Sequence, residues 1–169
     1  MKKLLVMVDL SNDFADENGV FGSEATEALI PKIITYAKQF DGEVIATQDT
    51  HSKNYLNTQE GKKLPIIHGI LRSWGWRLYP GIRPLAKHVI RKDRFGSIEL
   101  GEYIRQGKYD VVEFCGLVTN ICVTACIVVA KTFNPEVEMV LHKDLCLGTT
   151  PKAHEAALEV LESLQVTIV

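Results

Sequence analysis

Long apolar runs are missing from this 169-residue chain. No stretch approaches the roughly 20 residues that a membrane-crossing helix needs, so a membrane is not an expected partner. Basic clusters are missing as well. With 19 Lys and Arg against 21 Asp and Glu, the formal net charge is −2, and no face is basic enough to expect nucleic acid. Cysteines are few: four, at positions 115, 122, 126 and 146, with no Cys-x-x-Cys spacing. That argues against a disulfide-stapled scaffold and fits a reduced, cytoplasmic protein. Repeats, low-complexity tracts and linkers are absent, so a single domain over residues 1–169 is expected. The opening apolar run, Leu4 to Val8, is broken by Asp9 after five residues, too soon for a signal peptide. It reads as a first strand.

Apolar residues make up 46% of the chain and charged ones 24%, the balance of an ordinary soluble globular protein. Runs rich in β-branched residues recur at Leu4–Val8, Val44–Thr47, His88–Ile90, Val111–Phe114, Val137–Leu141 and Val166–Val169. Most are continuous rather than alternating, which predicts strands buried on both faces of a parallel sheet. Helical patterns lie between them. Ser23 can cap a helix from Glu24 to about Gln39, and Ser97 a short one ended by Gly107. A third runs from about Asn120 to Thr132, and Thr150-Pro151 opens a fourth towards Ser163. Strand–helix alternation predicts an α/β architecture. Residues 50–82 break the rhythm, and their two tryptophans, Trp74 and Trp76, argue for a packed loop rather than a disordered one.

Chemically interesting residues follow four of the strands. Asp9, Asp49 and Lys92 come directly at strand ends, and Cys122 lies just past Gly116 in Cys115-Gly-Leu-Val-Thr-Asn-Ile-Cys122. Ligands of open parallel sheets bind outside the carboxyl ends of strands, where the strand order reverses, so these side chains are expected to converge. Cys122 falls in the first turn of a helix, whose unpaired N–H groups favour a thiolate, and Lys92 would act in the same direction. Asp9 is the candidate base, whereas Asp13 reads as a solvated turn residue. Asp49-Thr-His51 with His68 offers one carboxylate and two imidazoles, a set suited to Zn²⁺, Fe²⁺ or Mn²⁺. An Asp-x-His pair is also common by chance. His88, His142 and His154 have no partner in sequence and read as structural. Phe14 and Trp74 are candidate walls of a pocket for a flat ring, and Trp76 reads as core.

Taken in order, these stretches resemble the isochorismatase-like cysteine hydrolases, the superfamily that includes nicotinamidases. Val8-Asp-Leu-Ser-Asn-Asp-Phe14, Thr47-Gln-Asp-Thr-His51, Glu60-Gly-Lys, Leu64-Pro-Ile-Ile-His68, Lys92-Asp-Arg-Phe-Gly-Ser97 and Gly116-Leu-Val-Thr-Asn-Ile-Cys-Val123 carry the likeness. The resemblance implies a three-layer α/β/α fold with a six-stranded, mainly parallel sheet in order 3-2-1-4-5-6. It implies a catalytic triad of Asp9, Lys92 and Cys122, a cis Leu117–Val118 peptide, and an oxyanion hole from the Val118 and Cys122 amides. In the nicotinamidase branch the metal ligands map onto Asp49, His51 and His68. Two departures stand out: Asn120 where the family commonly has Asp, and Gly69 where nicotinamidases usually have Cys.

The activity so implied is hydrolysis of a small carboxamide through a thioester, with nicotinamide as the leading substrate, by a homo-oligomer without organic cofactor. Two alternatives stay open at this stage. One is a metal-independent amidohydrolase acting on another small amide or an N-carbamoyl compound. The other is a non-catalytic binding protein on the same fold.

Overall fold

A computed structural model describes all 169 residues. Six strands form one sheet: β1 (Lys3–Val8), β2 (Glu43–Asp49), β3 (His88–Lys92), β4 (Val111–Leu117), β5 (Glu138–Leu147) and β6 (Thr167–Ile168). Their order is β3-β2-β1-β4-β5-β6, and every neighbouring pair is parallel. The chain therefore winds outwards one way from β1 and then the other way from β4, which puts the switch point between those two strands.

Strand side chains alternate between faces, and β1 shows what each face buries. Leu4, Val6 and Val8 join a core with Leu100 and Ile104 of α4 (Ile98–Gly107), Ile127 of α5 (Thr124–Phe133) and Leu161 of α6 (Pro151–Ser163). Leu5 and Met7 join the opposite core with Leu29, Ile30 and Ile33 of α2 (Glu24–Gln39). Helices on both faces make the three layers expected from the continuous apolar strands. The capping residues act where the sequence places them. Ser23 and Thr26 bond reciprocally at the start of α2, Ser97 accepts from the Leu100 N–H, and Thr150 accepts from the Ala153 N–H ahead of α6.

Two differences from the sequence reading have local causes. β5 runs on to Leu147, past a register shift opposite β4 between Phe114 and Gly116. Helix α5 starts late, because residues Thr119–Val123 form a π-helical turn ahead of it. The long segment after β2 is packed as expected, and contains a 3₁₀ turn (Tyr55–Asn57) and a short helix, α3 (Gln59–Lys63). A four-residue helix, α1 (Asn12–Ala15), follows β1. Gly116 allows the β1–β4 approach: its φ is +125°, and a Cβ there would lie 2.3 Å from the Val8 carbonyl oxygen.

Candidate active site

The ends of β1 and β3 and the turn after β4 bring Asp9, Lys92 and Cys122 together. Asp9 follows β1 directly, in the left-handed region at φ +52°, a conformation Asp tolerates better than most residues. Thr47 on β2 holds it. The Thr47 hydroxyl donates to Asp9 Oδ1 at 2.7 Å and accepts from the Asp9 N–H at 3.2 Å. Lys92 Nζ lies 2.6 Å from Asp9 Oδ2 and 3.7 Å from Asp49 Oδ1, and donates to Cys122 Sγ at 3.5 Å and the Arg94 carbonyl at 3.0 Å. Asp9, Lys92 and Cys122 are all buried.

Burial sets the protonation of this group. It raises the Asp9 carboxyl above its ordinary range, with Asp49 adding to the rise and Lys92 and Thr47 opposing it. Burial alone would lower the Lys92 ammonium, but the negative charge around it, led by Asp9, holds it above its usual value. The Cys122 thiol is pushed well up by burial and by Asp9, against the lowering pull of Lys92. The lysine thus acts on the thiol in the direction read from the sequence, but desolvation outweighs it. Burial and the Lys92 cation thus pull the thiol in opposite directions, beside the 2.6 Å Lys92–Asp9 contact.

The turn that carries Cys122 is pinned from α6 and the loop before it. Thr119 Oγ1 lies 2.8 Å from His154 Nδ1, and Thr124 Oγ1 donates to the Thr119 carbonyl at 2.7 Å. Asn120 Oδ1 accepts from the Thr149 N–H at 2.9 Å, and its Nδ2 donates to Thr149 Oγ1. The Leu117–Val118 peptide is cis, as the resemblance implies, and the Val118 N–H has no acceptor within the protein.

Beside this group, Asp49, His51 and His68 place a ligating atom each within 4.8 Å of one another. His51 Nε2 lies 3.0 Å and His68 Nε2 3.4 Å from Asp49 Oδ2. Glu60 Oε1 stands 3.8 Å and 3.6 Å from the same two nitrogens. His51 Nε2 is buried without an aligned hydrogen-bond partner. His68 Nδ1 sits 2.7 Å from the Ile66 carbonyl, the contact that fixes a tautomer and leaves Nε2 to bind. An orphaned imidazole nitrogen, a second one oriented by a carbonyl and two carboxylates fit a divalent cation of the Zn²⁺, Fe²⁺ or Mn²⁺ type. Burial would raise Asp49 and lower His68. Hydrogen bonds win in both cases: those from His51 and then His68 hold Asp49 below the usual carboxylate range, and those to Asp49 and Glu60 raise His68 to about 10.

Aromatic rings wall the imidazoles. Phe14 stacks on Phe21 at 5.5 Å, and both meet His68 edge-on, at 5.7 and 4.9 Å. Trp74 is 50% exposed, and its carbonyl accepts from Asn12 Nδ2. Trp76 is only half-buried rather than core; its indole N–H donates to Thr50 Oγ1. Asp13 is buried, not solvated: its Oδ2 accepts from the Gly69 N–H at 2.8 Å and braces the loop behind His68. Gly69 itself has φ +55°, and a Cβ there would lie 3.1 Å from Asp49 Oδ2, so a larger residue needs a shifted loop. Thr47, Glu60, Phe21 and His154 also escape a reading by spacing alone. Thr47 and Glu60 at least sit inside the ordered motif blocks; Phe21 and His154 carry no such signal.

Comparison with known proteins converges on the same fold and family. The Bacillus subtilis protein PncA, described as an uncharacterized isochorismatase family protein, is 27% identical over 94% of this chain and 93% of its own length. The crystal structure of nicotinamidase/pyrazinamidase PncA from Bacillus subtilis superposes with a TM-score of 0.87 at 26% identity, covering all of both chains. The pyrazinamidase of Pyrococcus horikoshii, solved in complex with zinc, gives 0.87 at 25% identity over 100% of this chain and 99% of that one. The isochorismatase domain matches residues 3–169, nearly end to end, and with the sheet order and motif order already described this chain belongs to the isochorismatase family.

Proposed function

We propose that this protein is a cysteine hydrolase that cleaves the C–N bond of a small carboxamide, with nicotinamide as its substrate. The observation that carries the reading is the buried contact of Lys92 Nζ with both Asp9 Oδ2, at 2.6 Å, and Cys122 Sγ, at 3.5 Å. The likeness to a nicotinamidase/pyrazinamidase from Bacillus subtilis supports the amide as substrate class.

Asp9 takes the Cys122 proton as the sulfur attacks the amide carbon, so the buried thiol ionises only in the presence of an electrophile. Lys92 stays cationic and balances whichever neighbour carries the negative charge. The free Val118 N–H and the Cys122 N–H are the donors for the developing oxyanion. Asp9 returns the proton to the departing ammonia, leaving a thioester. Water then attacks the thioester carbon, giving its proton to Asp9, and the Cys122 thiol is regenerated as the acid leaves. Asp49, His51 and His68, with Glu60 close by, would hold a divalent metal, which when bound supplies a Lewis-acidic site for a ring nitrogen. Phe14 and Phe21 present the aromatic wall against which a flat ring packs.

Ammonia release from nicotinamide by the purified protein, with and without added Zn²⁺, Mn²⁺ or Fe²⁺, tests the reading. Metal-dependent release is expected. No release under any metal removes nicotinamide as substrate, and full release by Cys122→Ala removes the thiol mechanism.

A further inference from the structure

A wide recess lies away from Cys122. It is a groove of about 680 Å³ along the edge strand β3, with Gln48 and Trp76 among its lining residues and Arg77, Arg83, Lys87 and Arg91 around it. Four cations line it against one carboxylate, Glu99, in a chain whose net charge is −2. Lys87 is committed to Glu43, and Glu99 stands 3.9 Å from His88. Arg77, Arg83 and Arg91 form no ion pair, although carboxylates outnumber basic residues in the chain as a whole. Arg91 instead lies over the Trp76 ring, 5.1 Å from its centroid. Trp76 is held on two sides, by its N–H to Thr50 Oγ1 and by its carbonyl, which accepts from the Gln48 amide at 2.7 Å. Arg83 donates to the Ala86 carbonyl at 3.0 Å, so the groove has a fixed aromatic wall and two guanidinium groups, Arg77 and Arg91, without a polar partner.

We propose that this groove binds a small molecule bearing two or more phosphoryl groups. Guanidinium forks pair with phosphate oxygens two at a time, and the unpaired Arg77 and Arg91 forks, with Arg83 beside them, exceed what the single carboxylate Glu99 can satisfy. Trp76, Leu78 and Val89 offer apolar surface to the organic part of such a ligand. The site is separate from the amide site, yet built on the same two strands. Gln48 pairs in register with Arg91, and Asp49 with Lys92. Strand alternation sends the first pair to the groove and the second to the buried catalytic group. The proposal does not rest on the amidase reading.

Titration calorimetry of the full chain with inorganic pyrophosphate at low salt tests it. One-site binding is expected, weakened at least ten-fold in Arg77→Gln/Arg91→Gln and unchanged in His68→Ala. These arginines are exposed, so the double variant should keep its fold, which circular dichroism checks. Quenching of Trp76 fluorescence in a Trp74→Phe background should follow the same isotherm. Three results overturn the proposal: no binding, binding that survives the double arginine change, or binding lost in His68→Ala, which would place the anion at the metal-ligand cluster. Sulfate binding as tightly as pyrophosphate would also overturn it, as ion pairing without phosphoryl recognition.

Discussion

Two buried charged clusters lie side by side, joined by the 3.7 Å contact between Lys92 and Asp49, and they are built differently. The Asp9–Lys92–Cys122 group comes from strand ends and one turn, and it sets one carboxyl against one amine beside a buried thiol. The Asp49–His51–His68–Glu60 group draws three of its four members from the loop after β2, and two carboxylates face two imidazoles that carry no charge when neutral. Buried negative charge is costly: Lys92 offsets part of it at Asp49, and a proton on His68 or a divalent ion would offset the rest. One half of the site is internally paired, and the other has the donor set that could hold a cation.

The largest effect should come from the internally paired half. Cys122→Ala should lower amide turnover by about 10⁴-fold or more with the melting temperature retained, because the proposed nucleophile goes while the Lys92–Asp9 contact stays. Lys92→Met should instead destabilise the fold by about 3–5 kcal/mol, since it strands the Asp9 carboxylate. Asp9→Asn/Lys92→Met should recover most of that stability but no activity. Equal melting temperatures for single and double variants would break the picture of a charge-balanced pair.

In the receptive half, His68→Ala should cut metal affinity by about 100-fold, read by metal analysis after dialysis, and Glu60→Gln by about ten-fold. Both should act more on KM than on kcat, because the triad is untouched. A Glu60 change without effect on metal content would shrink the cluster to three ligands.

A smaller effect is expected at His154, which touches neither half but holds Thr119 in the cysteine's turn. His154→Ala should cost about 1 kcal/mol of stability and several-fold in kcat, with KM and metal content unchanged.

The smallest effect is a pH dependence. Cys115, Cys122, Cys126 and Cys146 are all pushed above their usual value near 9 by burial. The unfolded chain therefore loses these protons first, so stability is full below pH 9 and falls as pH rises above it. A melting temperature flat from pH 8 to 10 would contradict the burial of these thiols.

The contrast between the halves also marks what was legible in the sequence. Strand-end residues could be read, since continuous apolar runs locate the strands and parallel topology gathers their carboxyl ends; Asp9, Asp49, Lys92 and Cys122 all emerge that way. Loop residues could not. Asp13 looks like a solvated turn residue until the Gly69 N–H closes on it from 56 positions away. Phe21 and His154 also act across long separations, through a loop path and a helix docking that periodicity does not encode. The resting state of the thiol was the subtler case, because spacing shows the cation beside it but not the depth of the desolvation opposing that cation.

That depth bears on the protein's chemical durability. Oxidants and alkylating reagents need both a thiolate and access to it, and burial that leaves Cys122 only 7% exposed works against each. Iodoacetamide should modify Cys122 slowly at neutral pH, and an effective covalent inhibitor would have to sit as an amide sits and draw the proton to Asp9 itself.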